Sequence, residues 1–158
     1  MDNKYHSLTG RIYDLSLMNE NERAFLEQVF KVHSGEISWI EFSRFWINLG
    51  RKRLWKRRSV PVRNPVYRIC QDLAARLGIR EGLISEPGYR EILADLIDSK
   101  FRSRYEFCRK TGIDQAHLSR VLAGRSDFSP DTLFKMLEIL GVKQREIFEP
   151  AFRACLNR

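Results

Sequence analysis

Apolar positions along this chain recur at the three- and four-residue spacing of helices, and no window alternates in the period of two that marks a strand. Tyr89, Ile92, Leu93, Leu96 and Ile97 fall on one helical face. Trp39, Phe42, Trp46 and Leu49 form an aromatic-rich stripe of the same kind, and Phe25, Leu26, Val29 and Phe30 form another nearby. Capping residues punctuate these stripes. Asn19 with Glu22, Ser38 with Glu41 and Ser103 with Glu106 have capping-box spacing, in which the first side chain takes an orphan N–H and the Glu reaches back. Asn64-Pro65 and Ser129-Pro130 place Pro at a first helical position, where its missing N–H costs nothing. Gly78, Gly112, Gly124 and Gly141 stand where left-handed C-terminal caps are expected. The marks predict helices over 20–32, 39–56, 65–77, 89–100, 104–111, 115–122, 130–140 and 143–149, an all-α protein.

The stretch GIREGLISEPG, from Gly78 to Gly88, carries three Gly and one Pro and reads as a linker. It separates an N-terminal helical region (1–78) from a C-terminal helical domain (89–149), with the linker at 79–88 and a tail at 150–158. Apolar runs are far shorter than the roughly 18 residues that span a bilayer, and MDNKYHSLTG has no apolar signal region, so a cytoplasmic protein without a membrane partner is expected. Cys70, Cys108 and Cys155 are too far apart for a CxxC metal pair and odd in number, which favours reduced, buried thiols.

Charge narrows the choice of partner. A formal net charge of +8 suits a polyanion such as nucleic acid or an anionic surface. Six of the eight residues in RKRLWKRR, Arg51 to Arg58, are basic, whereas the segment from Tyr89 onward holds 13 basic against 10 acidic residues. In that segment placement must matter more than the sum. Enzymatic chemistry finds little support. His6, His33 and His117 are far apart, no Gly-rich phosphate loop is present, and Asp95 and Asp98 sit on a helix explained by its apolar face. No cofactor, metal or catalytic residue is expected.

The run SRYEFCRKTGIDQAHLSRVLAGR, Ser103 to Arg125, has the spacing of two short helices joined by a tight turn. Phe107 and Cys108 face inward from the first, Gly112 and Ile113 turn the chain, and Asp114 caps a second helix with Leu118, Val121 and Leu122 on one face. Gln115, Ala116, Ser119 and Arg120 occupy its other face. These side chains suit a DNA groove: Gln can pair bidentately with adenine, Arg with guanine, and Ala can lie against a thymine methyl.

From Tyr89 to about Phe148 the chain resembles the five-helix domain of the Cro/phage-repressor (xenobiotic-response-element type) helix-turn-helix family. The resemblance is carried by the capped first helix, a small residue at its sixth position (Cys108, where the family usually has Ala), the turn Gly112, the polar cap Asp114 and a recognition helix closed by Gly124. The following SPDTLFKMLEILGV resembles the family's fourth helix. His117 and Tyr105 depart from the residues common at their positions. The resemblance implies a sequence-specific duplex-DNA-binding transcriptional regulator, a repressor, that inserts 115–122 into the major groove and acts as a nucleoid-associated homodimer. Base contact falls to Gln115, Ala116, Ser119 and Arg120. Backbone contact falls to Arg104, and is also open to His117, Arg125, Ser126 and Lys135.

Bland readings stand beside these. His117 can be a partly packed surface imidazole, and the aromatic stripes of the N-terminal half can form a core within the monomer or, in part, an interface. The basic run, Arg51, Lys52, Arg53, Lys56, Arg57 and Arg58, can be a solvated helix end, a membrane-surface patch, a nuclear address or a second DNA-backbone contact; the last is preferred because the chain already has a DNA-reading segment. Trp55 can stack, pack or shield the core. An alternative function is an antitoxin-like or adaptor protein whose N-terminal helices bind another protein while DNA binding tethers or autoregulates. RNA binding through the basic run is a third.

Overall fold

A computed structural model describes residues 3–56 and 63–142. The protein is all-α in outline, with 65% of the described residues helical. In order, the elements are β1 (Lys4–His6), β2 (Ile12–Asp14), α1 (Glu20–His33), α2 (Trp39–Arg53), α3 (Pro65–Arg80), α4 (Tyr89–Lys100), α5 (Arg104–Thr111), α6 (Gln115–Leu122) and α7 (Pro130–Leu140), with a short 3-10 turn at Leu15–Leu17. The expected helix 143–149 and the tail 150–158 lie outside the described residues. The chain divides into two compact units, one built on residues 1–8 and 12–85, the other on 9–11 and 86–158.

The antiparallel hairpin of β1 and β2 corrects the expectation of a strand-free chain. Its register pairs Tyr5 with Tyr13, Lys4 with Asp14 and His6 with Ile12, and Gly10 turns the chain at φ +83°. Only one inward position per strand is apolar enough to signal alternation, Tyr5 and Tyr13, so three-residue strands leave no periodic trace. Tertiary contacts hold the hairpin instead. Tyr5 stacks on Phe30 with centroids 5.9 Å apart, and its hydroxyl donates to Asp72 on α3 at 2.5 Å. The other Asp72 oxygen accepts from the Leu8 N–H at 2.8 Å, while Arg76 bridges Asp72 (2.9 Å) and the His6 carbonyl (2.8 Å).

Helices α1, α2 and α3 supply the core of this first unit. Phe25, Leu26 and Val29 meet Phe42 and Trp46, with Ile69, Cys70, Leu73 and Leu77 between them. The aromatic stripes are thus largely interior, and Trp39, Phe30 and Leu49 pack at its margin. Both capping boxes, Asn19/Glu22 and Ser38/Glu41, are formed.

Two boundaries differ from expectation for related reasons. α2 stops at Arg53 and not at 56, because the chain turns back: the Leu54 and Trp55 N–H groups both donate to the Gly50 carbonyl at 2.9 Å, and the Trp55 ring lies over Gly50. A Cβ at position 50 would sit 2.2 Å from that ring. Gly78 is not the left-handed cap of α3. The helix runs on to Arg80, Gly82 takes φ +72°, and Ile84 folds back so that a Cβ on Gly78 would meet it at 2.8 Å.

The second unit packs Leu93 and Ile97 of α4, Phe107 and Cys108 of α5, Leu118 of α6, and Met136 and Leu140 of α7. Ile92 and Leu137 extend this packing alongside Tyr89 and Leu133. Gly112 and Gly141 take φ +73° and +64°, as C-terminal caps require. Among the described residues no helix is long and apolar enough to cross a membrane, and no group of His, Cys, Asp and Glu could hold a metal ion.

Candidate nucleic-acid interface

The second unit presents α6 from a rigid corner. Ser103 accepts the Glu106 N–H at 3.1 Å to start α5, but the reciprocal bond is displaced by one residue: the Glu106 carboxylate accepts from the Arg102 N–H at 2.9 Å. That backbone bond, helped by Lys110 at 3.3 Å, holds the Glu106 carboxyl below the usual range. Gly112 then takes the left-handed conformation; the space beside it is open, so it is the backbone angle of +73° and not crowding that favours glycine. Asp114 accepts the His117 N–H at 2.9 Å and begins α6. Inside the corner, the buried Thr111 hydroxyl donates to the Phe107 carbonyl at 2.9 Å, and burial pushes the Cys108 thiol up, keeping it protonated.

Leu118 and Val121 anchor α6 inward, and Gln115, Ala116, Ser119 and Arg120 are all exposed on its outer side. No acidic residue lies within the helix. Among the described residues no carboxylate pairs with Arg120 or Arg125, so both cations are available to an anionic partner. Beyond α6 the chain closes with Gly124 at φ +75°, and the Arg125 N–H donates to the Arg120 carbonyl at 2.9 Å. This bond ties the exposed Arg125 directly to the end of α6. Lys135 is exposed on α7, and Ser126 is half-buried.

Two of the side chains named for backbone contact have partners within this unit. Arg104 forms a bidentate pair with Asp98, 3.1 Å from Nε to Oδ1 and 3.1 Å from Nη2 to Oδ2. The carboxylate orients the guanidinium and offsets its charge. His117 is half-buried and meets the Phe128 ring edge-on, at 5.1 Å and 87°. Asp98 lies six residues before Arg104, at the far end of α4, and nothing in the spacing announced it as a partner.

The basic run belongs to the first unit. Arg51, Lys52, Arg53 and Lys56 are exposed, and the Arg53 guanidinium donates to Gln28 at 3.0 Å. Lys52, Arg53, Leu54 and Lys56 line a cleft of about 380 Å³ with Asn21 and Ala24 of α1. Trp55 is not offered for stacking: it packs among Phe25, Trp46 and Tyr67 at 5.6 to 6.4 Å. Arg57 and Arg58 lie outside the described residues.

Residues 100–147 match the protein family described as Helix-turn-helix, of the Cro type, which covers a partial segment of the chain. The match spans α5, α6 and α7 and includes all the exposed α6 side chains named above. The chain therefore carries a helix-turn-helix domain of the kind found in DNA-binding transcription regulators. No curated protein and no solved structure matches the chain significantly.

Proposed function

We propose that the protein is a sequence-specific duplex-DNA-binding repressor that reads the major groove with α6. The observation that carries this reading is the outer side of that helix: Gln115, Ala116, Ser119 and Arg120 exposed together, without a carboxylate, within the matched segment. Gln115 and Arg120 supply the bidentate donors and acceptors, and Ala116 and Ser119 permit close approach of the helix to base edges. Arg125, Ser126 and Lys135 would contact phosphates that flank the groove, and Arg104 would do so from its carboxylate-oriented pose. His117 contributes as a packed imidazole at the margin. Arg51, Lys52, Arg53, Lys56, Arg57 and Arg58 add a further, sequence-independent backbone contact. The protein would act inside the cell as a homodimer, with residues 1–78 or the tail 150–158 supplying the contact between copies.

Selection from a random duplex library at about 150 mM salt, where nonspecific charge binding is suppressed, tests this directly. The expected result is an enriched palindrome with half-sites about one helical turn apart. Folded protein that enriches no sequence refutes the reading.

A second reading has one observation of its own. Leu17 is 84% exposed, and the two residues before it, Leu15 and Ser16, line a cleft of about 250 Å³ with Leu26, Phe30, Asn3, Arg23 and Glu27. An apolar side chain so placed favours an adaptor or antitoxin-like role in which the first unit binds another protein. A stoichiometric partner that co-purifies with the wild-type chain and is lost in Leu17→Glu is the expected signature.

A further inference from the structure

The loop that leaves α6 is anchored at one point by a charged group that the reading of α6 does not use. Asp127 stands between the exposed Arg125 and the start of α7, and its Oδ1 accepts two hydrogen bonds from the first turn of α4: from the Tyr89 hydroxyl at 3.0 Å and from Arg90 Nη2 at 2.5 Å. The Arg90 guanidinium also lies 4.8 Å from the centre of the Tyr89 ring, so three side chains form one cluster. Tyr89 remains a donor there, since burial and then the Asp127 bond push its hydroxyl pKa upward. The next residue, Phe128, carries the ring against which His117 packs.

An acid in this loop is unexpected if the surface around it meets phosphates, because a bare carboxylate would repel them. Arg90 offsets that charge. We infer that Asp127 is a positioning residue of the DNA interface: its bonds to Tyr89 and Arg90 hold the 124–128 loop so that Arg125 and Ser126 stand at a phosphate and Phe128 sets the His117 ring. The inference rests on the proposed DNA-binding function and specifies how one edge of that interface is ordered. The loop has other ties at its ends. Gly124 and Arg125 donate to carbonyls of α6, and Phe128 packs inward, which makes Asp127, among the described residues, the polar link from the middle of the loop to α4.

Acceptor geometry and charge can be separated by two substitutions of this residue, which is 75% exposed at its side chain and so tolerates change. Asp127→Asn keeps an oxygen for Tyr89 and Arg90, whereas Asp127→Ala removes it. On a duplex enriched by the wild-type protein, Asp127→Ala should bind about tenfold more weakly, and Asp127→Asn should stay within about twofold of wild type. Equal binding by Asp127→Ala and wild type overturns the inference, and so does an equal loss in both variants, which would make charge and not position the cause. Hydrogen exchange of the free proteins provides a readout independent of DNA. The Gly124 and Arg125 amides, which are bonded to α6 carbonyls, should exchange faster in Asp127→Ala alone; unchanged exchange overturns the latch even if DNA binding itself holds, while failure of the wild-type protein to select DNA refutes the function and leaves the latch to be judged by exchange.

Discussion

Gln115 and Arg120 are exposed on α6, which holds no acidic residue within it, so their contribution should appear in binding and not in folding. Replacing either by Ala should cost about 1 to 3 kcal/mol of DNA affinity and relax preference at one or two base positions, read by repeating the selection with each variant. Wild-type affinity and selectivity in both would remove α6 from the groove. Gly50 is the contrasting case, a residue whose role is internal. A buried glycine in the body of α2 lowers helix propensity, yet the Trp55 ring fills the space that a Cβ needs, and Phe25, Trp46 and Tyr67 surround that ring. Gly50→Ala should therefore destabilise the protein by about 2 kcal/mol in denaturant unfolding, despite the better helix former. A neutral or stabilising result would mean that Trp55 can move at little cost. The Gln115 face was legible from spacing; the need for Gly50 was not, because its ring partner acts only after the chain turns back.

At the scale of elements, the hairpin depends on α3 more than on its own ladder. Two three-residue strands are marginal in isolation, and Asp72 satisfies the Tyr5 hydroxyl, the Leu8 N–H and Arg76 together. Asp72→Ala should cost about 3 kcal/mol and loosen the N-terminal residues first, seen as early loss of amide protection over residues 3–15. Uniform loss across the first unit would show that the hairpin does not open separately. The packing of α1 against α3 also carries a pH dependence. His33 donates from Nε2 to the Leu73 carbonyl at 3.1 Å and meets Phe42 edge-on at 5.2 Å. Burial holds its pKa below the ordinary value of about 6.5, with the nearby Arg76 and Arg80 acting in the same direction and the Leu73 bond and Asp72 against it. A depressed histidine pKa means that the unfolded chain binds the proton more readily. Its contribution is present above about pH 6.5 and is lost as pH falls through the lower folded value. The melting temperature should fall between pH 7 and 5, and His33→Gln should flatten that slope; an unchanged slope would assign the dependence to other groups. Helix starts were readable because a cap and its target are two or three residues apart. The helix ends at Arg53 and Arg80 were not, since in each case a side chain folds back over a glycine five or six residues earlier, Trp55 over Gly50 and Ile84 over Gly78.

For the whole molecule, the net charge of +8 implies salt-sensitive binding to DNA, but its distribution assigns different parts to different effects. The basic run lies in the first unit and the exposed α6 residues proposed to read bases lie in the second. Replacing Lys56, Arg57 and Arg58 together with Ala should weaken binding to all duplexes alike and reduce the slope of log affinity against log salt, by about one for each phosphate no longer neutralised. An unchanged slope would leave that run as a solvated end of the first unit.

The all-α class, the helical cores, the turn at Gly112 and the polar outer side of α6 were determined by the sequence, because capping, left-handed turns and one-sided burial act over a few neighbouring residues. Tertiary structure alone decided that Tyr5 and Tyr13 make a hairpin, that Trp55 is core, that Asp98 holds Arg104 and that Asp127 reaches Tyr89 and Arg90. Each of these depends on a partner brought close by folding, and apart from the hairpin register each is set by one or two side-chain contacts whose geometry no periodicity in the sequence encodes.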